Sequence, residues 1–157
     1  MSQVGSRTGR LIIGIGNPSR GDDALGPLAI ERLEALNLPD MELLTDFQLQ
    51  VEFLLDMEGR EEIIFIDASV TGDEPFAFIP VAARCDRSHT SHALAPAAVL
   101  AAFESHYRRP PPPAFTLAIR AYAFELGEGL SSMAANNLDA ATAFLAAHLA
   151  GARRPQP

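Results

Sequence analysis

The sequence predicts an α/β fold, a three-layer α/β/α sandwich around a mostly parallel, twisted sheet of about five strands with one antiparallel edge strand. Three observations predict it. Residues 10–15 read as a continuous apolar strand of the kind buried on both faces of a sheet, and 62–67 as a strand of four apolar residues ending on a carboxylate. Strand patterns alternate with helical patterns along the chain, which makes the sheet mostly parallel. Pro80, near the end of a strand-like run at 76–81, cannot donate to a ladder and places that run at an edge.

The elements follow in order. After the strand at 10–15, Leu25, Leu28, Ala29, Leu33 and Leu36 recur at helical spacing, in a helix that begins between Asp22 and Pro27. Residues 37–40 are a turn. Residues 41–47 are a second strand, ending at Asp46. Residues 49–58 read as a helix closed by Gly59. Residues 62–67 form the clearest strand and end on Asp67. A turn at 71–75 leads to the edge strand at 76–81. Residues 84–96 are polar and irregular, and 97–107 are helical. The segment 108–113, with four prolines in a row, is a stiff extended connector. Residues 115–121 are the last strand. Gly127 and Gly129 punctuate a loop, and 131–150 form a long amphipathic helix. The 157 residues are expected to make one domain, residues 1–157, with a disordered tail at about 151–157. Right-handed crossovers bring the carboxyl ends of the parallel strands to one edge, so Asp23, Asp46 and Asp67 are all expected there.

Composition excludes several functions. The net charge is −8, without the basic face that nucleic acid requires. No apolar run approaches the ~20 residues of a membrane span. Neither nucleic acid nor membrane is expected as a partner. The N-terminus lacks a signal-peptide core. The single cysteine, Cys85, cannot form an internal disulfide, which suits a reducing cytoplasm. It reads as an incidental thiol near the edge strand.

The turn after the first strand carries the most information. Gly14-Ile15-Gly16 invites a dinucleotide site, but G-x-G-x-x-G requires glycine where Ser19 stands. Gly16 and Gly21 have the spacing of a phosphate-binding loop, but the lysine and hydroxyl that should follow are Asp22 and Asp23. At ~4 Å and an effective dielectric near 20, each carboxylate–phosphate contact costs on the order of 4 kcal/mol. No nucleotide is expected here. A cation is the natural ligand.

Taken singly, Asp22 and Asp23 read as helix caps. Asp67 has no helix to cap directly, and a carboxylate at the rim of a core is costly unless paired. His89 and His92 lie within a polar segment, where an imidazole is ordinarily just solvated. Together, Asp23, Asp67 and His92 make an oxygen and nitrogen donor set that suits zinc, nickel or cobalt better than calcium or magnesium. Three such ligands leave positions open for water or a substrate atom. The sequence has no H-E-x-x-H, no G-x-S-x-G and no paired aspartic-protease signature.

The stretch Gly14-Ile15-Gly16-Asn17 followed by Gly21-Asp22-Asp23-Ala24-Leu25-Gly26 resembles the opening motif of the nickel–iron hydrogenase maturation endopeptidases. Ile66-Asp67-Ala68 is similar to that family's second ligand segment, and Ser91-His92-Ala93-Leu94 to its third. The resemblance extends through the element order to the loop at 127–131. Residues 46–50 and 124–130 further resemble the branch that serves bidirectional, NAD-linked hydrogenases. The resemblance implies an endopeptidase that removes a C-terminal extension from a nickel-loaded hydrogenase large-subunit precursor. The nickel would belong to the precursor and act as the recognition element. The implied ligands are Asp23, Asp67 and His92, with Asp23 and Asp67 also the catalytic candidates and Asp22, Asp46 and His89 accessory. Many family members carry glutamate where Asp23 stands, so the reach here is one methylene shorter. Two mechanisms remain open at this point: nickel-assisted hydrolysis, or a carboxylate base with nickel only recognised. The alternatives are a non-catalytic nickel-binding checkpoint or delivery protein using the same ligands, and a small-molecule α/β enzyme, against which the aspartates argue.

Overall fold

The computed structural model describes residues 9–84 and 94–151. Five strands form one sheet: β1 (Arg10–Ile15), β2 (Met41–Asp46), β3 (Glu62–Ser69), β4 (Phe76–Val81) and β5 (Ala114–Arg120), in the order β2-β1-β3-β5-β4. β2, β1, β3 and β5 are parallel, and β4 pairs antiparallel with β5 at the edge, where Pro80 had placed it. The helices are α1 (Leu25–Leu36), α2 (Leu54–Met57), α3 (Pro96–Tyr107) and α4 (Ser132–Gly151).

Side chains alternate across the central strands, and the two sets build two cores. Ile12, Ile64, Ile66, Leu117 and Ile119 pack against Leu25, Ala29 and Leu33 of α1 and Leu138, Ala141 and Leu145 of α4. Leu11, Ile13, Ile63 and Phe65 pack on the other face against Leu54 and Met57 of α2 and Val99, Leu100 and Phe103 of α3. The three layers are therefore α1 and α4, the sheet, and α2 and α3. Each fully buried aliphatic or aromatic side chain contributes about 1.5–3 kcal/mol of transfer free energy, so the doubly covered strands β1 and β3 anchor the domain.

Two expectations are corrected. The helix expected at 49–58 is only a 3-10 turn, Val51–Phe53, followed by the single-turn α2. Gln50 is extended, so that Leu49 enters the core before the turn begins. Burial of Leu49 together with Leu54 and Met57 overrides a weak local preference. β3 also continues past Asp67 to Ser69. Its pairing with β1 stops at Gly14 and Ile66, but β5 carries it on through Asp67 with Ala118, Ala68 with Ile119 and Ser69 with Arg120. Asp67 thus stands where β3 has lost one neighbour and kept the other.

The connections from β1 and β2 pass over opposite faces of the sheet, α1 on one and α2 on the other. Their divergence puts the switch point of the sheet at the carboxyl ends of β1 and β3, the place where open α/β sheets form a ligand crevice.

Candidate active site

The turn after β1 is shaped by close approach. Gly16 has φ +145°, and a Cβ there would stand 2.0 Å from the backbone oxygen of Asp23. Asn17 opens the turn by accepting the Ser19 amide on Oδ1 at 2.8 Å. Its own amide donates to Asp23 Oδ2 at 2.9 Å. Residues Gly21–Ala24 form a 3-10 turn that runs directly into α1, and neither helical start has a side-chain cap. Asp23 is therefore not a helix cap. Its carboxylate is oriented by the turn before it.

The adjacent aspartates are sorted to opposite uses. Asp22 is fully buried. Its Oδ2 accepts the amides of Tyr122 at 2.8 Å and Ala123 at 3.0 Å and the Ser131 hydroxyl at 2.8 Å, and its Oδ1 accepts the Ser131 amide at 2.8 Å. Burial pushes its pKa up, but the amides of Ser131, Tyr122 and Ala123 and the Ser131 hydroxyl outweigh that, leaving it below the ordinary aspartate value. The accessory ligand role expected for Asp22 is thus displaced by a structural one, and the reversed electrostatics of the turn rest on Asp23. Ser131 was not singled out from the sequence. It also accepts the Ala134 amide on its hydroxyl, as the residue immediately before α4, and a serine directly before a helical run is a cap signal legible in the chain.

Asp67 projects from β3 at the crevice, and its Oδ1 accepts the Ala68 amide at 2.8 Å. Burial raises its carboxyl, the Ala68 amide lowers it, and the negative charge of Asp23 raises it further, to about 6. The structure therefore brings Asp23 and Asp67 together. Each is fixed through one oxygen to a backbone amide, and Asp23 Oδ1 and Asp67 Oδ2 have no hydrogen-bond partner among the described residues. Two fixed, like-charged carboxylates with oxygens to spare suit a cation, which would relieve both the burial of one and the repulsion between them.

Asp46 ends β2, one strand further out. Its Oδ1 accepts the Phe47 amide at 2.7 Å, and its carbonyl accepts the Gly16 amide at 3.0 Å. With Gly16, Pro18, Pro27, Thr45 and the exposed Phe47 it lines a groove of about 330 Å³ at the same edge of the sheet. The charge that Asp67 feels is that of Asp23 and not of Asp46. His92, His89 and Cys85 lie outside the described residues. Among the described residues no three His, Cys, Asp or Glu side chains gather as a metal site, which leaves the Asp23–Asp67 pair.

A parallel sheet with helices on both faces and a carboxylate pair at the β1–β3 crevice defines the class of fold. Solved structures that share the fold include hydrogenase maturation enzymes. The hydrogenase maturating endopeptidase HybD from Escherichia coli superposes with a TM-score of 0.73 at 22% identity, over 92% of this chain and 94% of that one. The [NiFe] hydrogenase maturation protease HycI from Thermococcus kodakarensis KOD1 gives 0.69 at 24%, over 90% and 92%. The hydrogenase 2 maturation peptidase from Thaumarchaeota archaeon SCGC_AB-539-E09 gives 0.63 at 20%, over 90% and 97%. No protein-family model matches the chain, and no curated protein does. The chain has the fold of the hydrogenase maturation endopeptidases. Among the described residues no helix is long and apolar enough to cross a membrane.

Proposed function

We propose that this protein is a cytoplasmic endopeptidase that removes the C-terminal extension of a nickel-loaded [NiFe]-hydrogenase large-subunit precursor, of the bidirectional, NAD-linked kind. The observation that carries this reading is the pair Asp23 and Asp67. Both carboxylates are fixed through one oxygen at the crevice and have the other oxygen without a partner among the described residues, in a fold shared with named maturation endopeptidases. In this reading the nickel arrives with the substrate, and Asp23, Asp67 and His92 complete its coordination. Asp46 lies along the groove beside it, and His89 accompanies His92 in the segment after β4.

Hydrolysis needs a polarised carbonyl and an acceptor for the proton of the attacking water. Asp23, Asp67 and His92 would hold the substrate's nickel, which when bound would supply the polarisation. Where the nickel is only recognised, a carboxylate not engaged as its ligand, Asp67 or Asp23, would take the proton of the attacking water. Asp23, fixed by the Asn17 amide, supplies charge without moving. The test is incubation of the pure protein with nickel-loaded and nickel-free precursor, followed by mass spectrometry. A released C-terminal peptide from the loaded form alone is expected. Binding of the loaded precursor without truncation would sink the endopeptidase reading and favour a checkpoint or delivery role.

A further inference from the structure

Asp22 has no part in that chemistry, yet it ties the site to a distant segment. Its carboxylate accepts hydrogen bonds from Tyr122, Ala123 and Ser131. Beside it, the Asp22 amide donates to the Ala123 carbonyl at 2.7 Å, Gly21 N to the Glu128 carbonyl at 3.1 Å, and Gly127 N to the Ser19 carbonyl at 2.8 Å. The loop after β5 is thereby stitched along residues 19–22. Asp23 follows at once and is held from its other side by Asn17 and by the seat of its carbonyl against Gly16. Successive residues of a 3-10 turn are rotated by about 120°. Holding the Asp22 side chain inward therefore sets the direction in which the Asp23 side chain leaves the turn.

We propose that Asp22 is a positioning residue, which locks the loop after β5 onto the first turn and thereby sets where the Asp23 carboxylate stands against Asp67. The catalytic consequence rests on the endopeptidase reading, whereas the geometric link does not. A merely structural anchor would change stability and leave the folded site as it is.

The test uses Ser131→Ala, which removes one donor to Asp22, Ser131→Thr, which keeps the hydroxyl, and Asp22→Asn. Two readouts are taken at a temperature where each variant is folded: the amide resonance of Asn17, which reports on the Asp23 carboxylate, and the kcat and KM of precursor cleavage. Ser131→Ala is expected to shift the Asn17 resonance and lower kcat by ~10- to 100-fold with KM little changed, and Ser131→Thr to restore both. Asp22→Asn is expected to do the same or more. Should Asp22→Asn fail to fold, the Ser131 pair decides. An unmoved Asn17 resonance and wild-type kcat in Ser131→Ala, with only a lowered melting temperature, would overturn the proposal. A wild-type protein that cleaves nothing, while the Asn17 resonance still moves in Ser131→Ala, would sink the endopeptidase reading and support the positioning link.

Discussion

Asp23 and Asp67 are like charges held against each other at the mouth of the β1–β3 crevice. Burial does most to lift the Asp67 carboxyl, the Ala68 amide opposes it, and the charge of Asp23 adds to the rise, leaving a pKa of about 6.

The arrangement has a stability signature. The folded Asp67 binds its proton more tightly than the unfolded chain, whose value is 3.8. Its contribution is therefore most favourable below that pH and is lost as pH rises through about 6. At ~1.4 kcal/mol per pKa unit, the penalty at neutral pH is at most about 3 kcal/mol. Asp67→Asn should accordingly stabilise the metal-free protein by about 1–3 kcal/mol at pH 7.5 and little at pH 4, while abolishing cleavage. Urea denaturation at the two pH values measures this, and a gain equal at both would contradict it.

Asp22 should behave with the opposite sign. Its folded pKa lies below 3.8, so its contribution is present above that value and lost as pH falls through the folded pKa. Asp22→Asn turns an acceptor into a donor facing amide donors and should cost about 2–4 kcal/mol at pH 7. The difference from wild type should shrink below pH 4, where the native carboxylate itself begins to protonate. Denaturation curves from pH 2.5 to 7 would show it, and a pH-independent difference would refute it.

Close backbone approach supplies a third prediction. A Cβ on Gly26 would lie 2.4 Å from the Ile15 carbonyl oxygen and 2.8 Å from that of Ile66. Both are backbone atoms of strands that flank the crevice, so neither can swing away. Gly26→Ala should cost about 3 kcal/mol or more by forcing α1 off the sheet. Gly129→Ala, with nothing within 4 Å, should stay within about 0.5 kcal/mol of wild type. Thermal melts of the pair check this.

The last prediction concerns the third implied ligand. His92→Ala should abolish precursor processing and leave stability within about 0.5 kcal/mol of wild type. The free protein should not retain stoichiometric nickel after dialysis, because three ligands with open positions hold the ion well only when the substrate completes the shell. Normal processing by His92→Ala, or nickel surviving dialysis, would count against the ligand set.

Much of this was legible along the chain. The alternation of apolar strands and helical patterns yields the sheet and its three layers, because burial on both faces leaves a composition signature at β1 and β3. Pro80 marked the edge strand because a missing amide is a local property. The short α2 was not legible, since the pull of Leu49 into the core depends on what α3 brings to the same face.

The two aspartates divide most clearly between what the chain states and what the fold adds. The sequence by itself determined that carboxylates, and not a lysine, follow the first strand, and that Asp67 ends the apolar run of the third. Local charge and hydrophobic pattern suffice for that. Which of Asp22 and Asp23 faces the crevice was decided only by tertiary structure, because the amides that draw Asp22 inward belong to residues 122, 123 and 131, 100 residues or more along the chain. Neighbouring aspartates are chemically identical until distant donors select one of them.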